Sequence, residues 1–159
     1  MLSQPSERID WRAVEVWKIQ GVFKALIMAI PLVPAVFLVR EFSWPRWVPV
    51  LLAVVVILYG ILEVALLPRL RWERWRYQVQ QEEIDLQRGI WFIKRTLIPM
   101  GRVQHVDTRQ GILMRRYGLA TVIISTAAGA HQIPALREDI AGGLRDSIVR
   151  LAQVSDDVL

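Results

Sequence analysis

The sequence predicts a membrane α-helical hairpin joined to a small α+β domain, and three observations carry that reading. Two apolar runs of about 20 residues lie close together ahead of residue 68. Beyond Pro68 the pattern switches to short alternating segments separated by turn residues. The chain then closes on apolar residues at helical spacing.

Composition agrees. The 159 residues suffice for one domain, or for one domain with membrane segments. Hydrophobic residues make up 53%, and the mean hydropathy is +0.31. A soluble domain uses about 45–50% apolar residues, and the excess sits between Gly21 and Leu67. The net charge of +5 comes from Lys and Arg placed beside the apolar runs. That placement belongs to membrane topology, so no nucleic-acid partner is expected. The absence of cysteine rules out disulfides, thiol catalysis and cysteine-ligated metals. Residues 1–20 are polar and of mixed charge, and do not read as a cleaved signal peptide.

The first span reads 21–39 and the second 48–67. At 1.5 Å per residue, each crosses a hydrocarbon core of roughly 30 Å. The connection 40–47 is short, so the helices are antiparallel neighbours. Trp44 and Trp47 fit one interfacial belt, and Trp17, Trp72 and Trp75 the other. Arg8, Arg12 and Lys18 flank the first span, and Arg69, Arg71, Arg74 and Arg76 follow the second. The loop has only Arg40 and Arg46. Positive-inside counting therefore puts both termini in the cytosol, as in a cytoplasmic (inner) membrane. Pro31 and Pro34 predict a kink in the first span.

Lys24 lies about one turn inside the first span, and Glu63 about one turn from the end of the second. In an antiparallel hairpin these depths coincide. Either the two form an intramembrane ion pair, or each snorkels separately to the headgroups. Residues 10–20 read as an N-terminal cytosolic helical extension within residues 1–20, with Asp10 as N-cap and Ala13, Val16, Trp17 and Gln20 on one face.

In the third segment, 68–159, strands are expected over 77–80, 84–87, 90–98, 102–110, 119–126 and 131–134. Ile140, Leu144, Ile148 and Leu151 mark one face of a C-terminal helix, in which Gly142 and Gly143 either weaken the helix or allow its close approach to a sheet. Strands followed by one helix indicate an antiparallel α+β domain.

Several short motifs carry a resemblance. They are Glu83-Ile-Asp-Leu-Gln-Arg-Gly89, Ile98-Pro-Met-Gly-Arg-Val-Gln-His-Val-Asp107, Tyr117-Gly-Leu-Ala-Thr-Val122 and Ile133-Pro-Ala-Leu136, with the helix from Leu144 to Ala152. With the preceding hairpin, this order resembles the YdbS-like family of membrane-anchored bacterial pleckstrin-homology-like (PH-like) domain proteins. The resemblance implies two packed antiparallel sheets closed by one C-terminal helix. It also implies a seventh strand; the region of Ile112–Arg116 is the remaining place for it. Members of the family often accompany a larger membrane protein with several related PH-like domains, which implies such a partner, or else self-association.

No catalytic constellation emerges, and no catalytic, cofactor or metal residues are assigned. His105 and His131 are the only histidines, and neither sits in a metal-ligand spacing. His105 and Asp107 share a strand face without an evident nucleophile. The basic residues Arg69, Arg71, Arg74 and Arg76 read either as contacts to anionic headgroups or as ordinary topology determinants. Lys94, Arg95, Arg102, Arg115 and Arg116 read either as a bilayer-facing patch or as a solvated charged face. The reading that demands least is a non-enzymatic scaffold or partner subunit anchored at the cytosolic face. An anionic-lipid-binding or membrane-stress-sensing module is the alternative.

Overall fold

The computed structural model describes residues 5–43 and 45–156, with no side-chain description for 155 and 156. These fall into two compact units. Residues up to Val16 join those from Leu70 onward in the first, and Trp17–Arg69 form the second.

The second unit is the helical hairpin. Helix α1 (Ala13–Ala29) and helix α2 (Leu32–Phe42) form the first apolar arm, interrupted at Ile30–Pro31. Pro31 and Pro34 have no N–H to give, so the ladder tightens there. Ile30 N–H bonds the Ile27 carbonyl at 3.2 Å, and Val33 N–H the Ile30 carbonyl at 3.3 Å. The second arm is helix α3 (Trp47–Ile61), a π-helical turn at Leu62–Leu66, and helix α4 (Leu67–Arg74). In the π turn the Leu67 N–H reaches the carbonyl of Leu62, five residues back. Both arms are long and apolar enough to cross a membrane, and almost none of either apolar window is covered by protein. Phe23, Leu26, Ile27, Val33, Ile57 and Leu58 all face outward. A soluble core helix would bury such residues.

The arms approach closely where side chains are small. A Cβ placed on Gly21 would lie 2.5 Å from the Glu63 carbonyl oxygen, and one on Gly60 would touch Ala25 at 3.5 Å. Gly21 and Ala25 are four residues apart, the small-xxx-small spacing that lets apolar helices pack backbone to backbone.

The first unit has two antiparallel sheets and a helix. Strand β1 (Glu7–Arg8), β2 (Arg76–Val79), β3 (Glu83–Arg88) and β4 (Lys94–Pro99) form the first sheet, in sequence order. Strands β5 (Val103–Arg109), β6 (Leu119–Thr126) and β7 (Gly129–Arg137) form the second. A 3-10 turn at Met100–Arg102 links the sheets, and helix α5 (Ile112–Arg116) links β5 to β6. Helix α6 (Glu138–Asp156) lies against the second sheet and the linking turn. Ile84, Leu86, Ile98, Met100, Ile124, Ile133, Leu136 and Ile148 form the core. Strands β3, β4, β6 and β7, the linking 3-10 turn and helix α6 each contribute to it.

The structure corrects three expectations. Ile112–Arg116 is helical, with Arg115 N–H on the Gly111 carbonyl at 2.8 Å. The seventh strand is instead β1, which pairs Glu7 with Tyr77 and Arg8 with Arg76. The N-terminal segment is therefore extended before it turns helical. Asp10 caps the turn, its carboxylate accepting the Arg12 N–H at 2.8 Å, and the helix begins at Ala13. Finally, the strand expected from Ile90 starts only at Lys94. Gly89, at φ +129°, folds the chain so sharply that a Cβ there would lie 1.8 Å from the Phe92 carbonyl oxygen. Residues 90–93 become a loop, since only glycine tolerates both demands.

The N-terminal strand is fixed by more than its ladder. Asp10 N–H donates to the Ala135 carbonyl at 3.0 Å. Ala135 adopts a left-handed φ of +52° at a register shift between β6 and β7, and the irregularity frees that carbonyl from the ladder. Ile9, Ala13 and Val16 are buried.

Two glycine substitutions separate tight packing from helix propensity. Gly21→Ala is expected to lower stability by about 1–3 kcal/mol through overpacking against Glu63. Gly143→Ala, whose Cβ would meet nothing within 4 Å, is expected to raise it by up to about 1 kcal/mol. Unfolding midpoints of the full chain in mild detergent check both.

Candidate functional site

The charged residues of the hairpin come together. Lys24 Nζ lies 3.2 Å from Glu63 Oε2, linking the two arms. Glu63 is nearly buried, while Lys24 keeps about half of its side chain exposed. Glu63 sits in the π turn, where the extra residue per turn shifts the helix face. Its own carbonyl faces Gly21, one turn before Lys24. The pair thus lies beside the closest approach of the helices.

The interfacial tryptophans separate into different roles. Trp47 is exposed and Trp17 half-buried; Trp44 lies outside the described residues. Trp75, expected in a belt, is instead buried in the domain core. Trp72 is half-buried and holds the N-terminal strand: its indole N–H donates to the Ile9 carbonyl at 3.0 Å. The Arg8 guanidinium stands over the Trp72 ring at 5.6 Å from its centroid. Both tryptophans follow the second arm, yet Trp72 anchors the first strand of the domain and Trp75 joins its core.

The basic residues divide likewise. Arg69 and Arg74 are exposed, while Arg71 and Arg76 are half-buried. Lys94 is exposed. Arg95, expected on a lipid-facing patch, is engaged with Asp85 across the β3–β4 ladder. Arg95 Nε lies 3.0 and 2.9 Å from the two carboxylate oxygens, and its Nη2 donates to Oδ2 as well. Asp85 is buried, and without Arg95 it would hold a desolvated charge. The hydrogen bonds to Asp85 raise the Arg95 pKa above its ordinary value, so the guanidinium serves the fold. Burial and a hydrogen bond to the Glu7 carboxylate push the Tyr77 phenol well above its usual range. It stays neutral beside β1.

His105 and Asp107 do meet, with Nε2 3.0 Å from Oδ1, and both are exposed on β5. Among the described residues, no three His, Cys, Asp or Glu side chains are grouped to hold a metal, and every buried side-chain N or O atom has a hydrogen-bond partner.

A concave feature of the domain lies between β5 and α6. It is a groove of about 230 Å³ lined by Thr108, Gln110, Ala120, Glu138, Ala141, Gly142 and Arg145. Among the described residues, strand β5 pairs only with β6, which leaves its other edge outside any ladder. Gly142 widens the groove, since a Cβ there would meet nothing within 4 Å. Of the two readings of Gly142 and Gly143, close approach to a sheet describes Gly142, which lines the groove together with Thr108 and Gln110 of β5.

Comparison with known proteins settles the family. The Bacterial PH domain family model matches residues 18–152. The chain belongs to this family. It is 44% identical over 157 residues to the UPF0699 transmembrane protein YdbS of Bacillus subtilis (strain 168), covering 99% of both chains. It is also 25% identical over 72 residues to the UPF0699 transmembrane protein YdbT of the same organism. That match takes in 45% of this chain and 15% of YdbT. No solved structure matches. The chain is thus a membrane-associated member of the bacterial PH-domain family, with a PH-like domain accompanying an apolar helical hairpin.

Removing one partner of the Lys24–Glu63 pair leaves the other charge in an apolar arm. Lys24→Met is expected to cost about 1–2 kcal/mol, and Lys24→Met with Glu63→Leu less than the sum of the two single changes. Thermal unfolding of the four variants in detergent measures the coupling.

Proposed function

We propose that this chain is a non-enzymatic docking subunit of a membrane complex, carried by two transmembrane spans with both termini in the cytosol. Its partner is a larger membrane protein bearing related PH-like domains. The observation that carries the reading is the open edge of β5 beside the α6 groove. An open strand edge offers backbone donors and acceptors, and an adjacent groove takes side chains of an added segment. Such a surface needs no convergent catalytic groups. The class of partner is supported by YdbT, since 72 residues of this chain resemble only 15% of that protein. A larger chain containing a related segment is the kind of molecule such a subunit accompanies.

The sidedness rests on charge. Arg8, Arg12 and Lys18 precede the first apolar arm, Arg69, Arg71, Arg74 and Arg76 close the second, and the connection has Arg40 and Arg46. Because the sequence has no cysteine, single cysteines report directly. In spheroplasts, Ser43→Cys is expected to react with a membrane-impermeant maleimide and Ser6→Cys only after lysis. The opposite pattern would reverse the topology.

Copurification tests the docking role. A tagged full-length chain extracted in mild detergent is expected to bring down a larger untagged membrane protein with PH-like domains. Gly142→Leu, which fills the groove, is expected to lower that recovery at least tenfold at unchanged abundance. Recovery of the chain alone, or equal recovery with Gly142→Leu, would overturn the assignment.

A further inference from the structure

The loop between β3 and β4 presents its apolar side chains to the outside. Trp91 is 83% exposed, Phe92 89% and Ile93 54%. A lone exposed side chain such as Ile112 needs no explanation. Three consecutive large apolar residues at a loop tip do, because each would gain from leaving water. Nor is the exposure a matter of slack chain. Gly89 at φ +129° brings the Phe92 carbonyl against its own α-carbon, closing the loop tightly. Substitution of Gly89 would open that turn.

We infer that the Trp91–Phe92–Ile93 tip inserts into the interface of an anionic lipid bilayer and is a second, non-spanning membrane contact of this protein. Charge singles out that occupant. No Asp or Glu occurs between Leu86 and Val106, whereas Arg88 and Lys94 bracket the loop, and both are exposed. A cationic collar around aromatic residues suits anionic headgroups above acyl chains, and tryptophan favours that depth. Sheet register adds a second argument. Gln87 is paired with Arg76, and helix α4 ends at Arg74. The loop therefore leaves the first sheet at the end where the chain enters it from the second apolar arm. Arg76 is also the partner of Arg8 in β1, so the N-terminal connection leaves from that same end. Arg76 follows Leu67 by nine positions, so this end of the sheet is the one tethered by the chain to the second apolar arm. The inference is independent of whether a partner docks on β5.

The absence of cysteine also makes this testable by spin labelling. Full-length Phe92→Cys and Ala128→Cys, the latter on the exposed β6–β7 turn, are labelled and reconstituted singly into phosphatidylcholine–phosphatidylglycerol vesicles. Oxygen and a water-soluble nickel chelate, present on both sides of the membrane, serve as relaxants. The ratio of oxygen to nickel accessibility is expected to be several-fold higher at position 92 than at 128. It should fall towards the value at 128 in Arg88→Gln/Lys94→Gln, or when phosphatidylglycerol is omitted. Trp91→Ser/Phe92→Ser is expected to leave the unfolding midpoint in detergent unchanged, since neither ring supports the core. Equal ratios at 92 and 128 would overturn the inference. So would shielding of position 92 from both relaxants, which would mean a protein partner or a second copy covers the tip.

Discussion

A ladder two residues long holds this molecule to its plan. Glu7 and Arg8 pair with Tyr77 and Arg76, so the strand that begins the first sheet and the strand beside it are separated by the whole hairpin. The apolar arms are thus an insertion between neighbouring strands of one sheet. So short a ladder would not persist alone. It persists because its surroundings hold it. The Trp72 indole takes the Ile9 carbonyl, Ala135 offers its carbonyl to Asp10, and Arg8 lies over the Trp72 ring. Ile9, Ala13 and Val16 then bury their side chains. Each contact binds the segment before the hairpin to the segment after it.

Close approach within the hairpin follows a different physics. In hydrocarbon, apolar side chains gain little by leaving lipid for one another, so packing and polar contacts decide association. Gly21 and Ala25 on one arm, with Gly60 and the Glu63 backbone on the other, supply the packing. Lys24 and Glu63 supply the polar contact at the same level. The π turn is where these requirements meet. It carries Glu63 and resets the helical phase before α4 runs on towards the sheet.

Much of this was legible in the sequence. Length and composition marked both arms, because about 20 apolar residues have few other uses. Alternation marked β2 and β3, flanking turn residues marked β5, and a continuous β-branched run marked β6. Strand β1 was not legible. Two residues carry no period, and Glu-Arg has no β preference; its conformation is imposed by Arg76 and Tyr77, far away in sequence. Residues 90–93 failed for the opposite reason. Ile-Trp-Phe-Ile has strong β propensity, and one backbone angle at Gly89 overrides it. Among the site residues, equal depth in the two arms anticipated the meeting of Lys24 and Glu63. The diversion of Arg95 to Asp85, and of Trp72 and Trp75 into the domain, depends on strand register, which composition does not encode.

Placing the spans between adjacent strands also makes the fold a check on biogenesis. The ribosome releases residues 7 and 8 long before their partners at 76 and 77, so the N-terminal strand must wait through synthesis of both arms. A chain that threads one arm and leaves the other behind would strand those two pieces on opposite faces of the lipid. The first sheet would then lack its outermost member, and Trp72 would have no Ile9 carbonyl to bond. Only molecules that bring both ends of the hairpin together can complete the domain, so an error in placing one arm would appear as an unfinished first sheet.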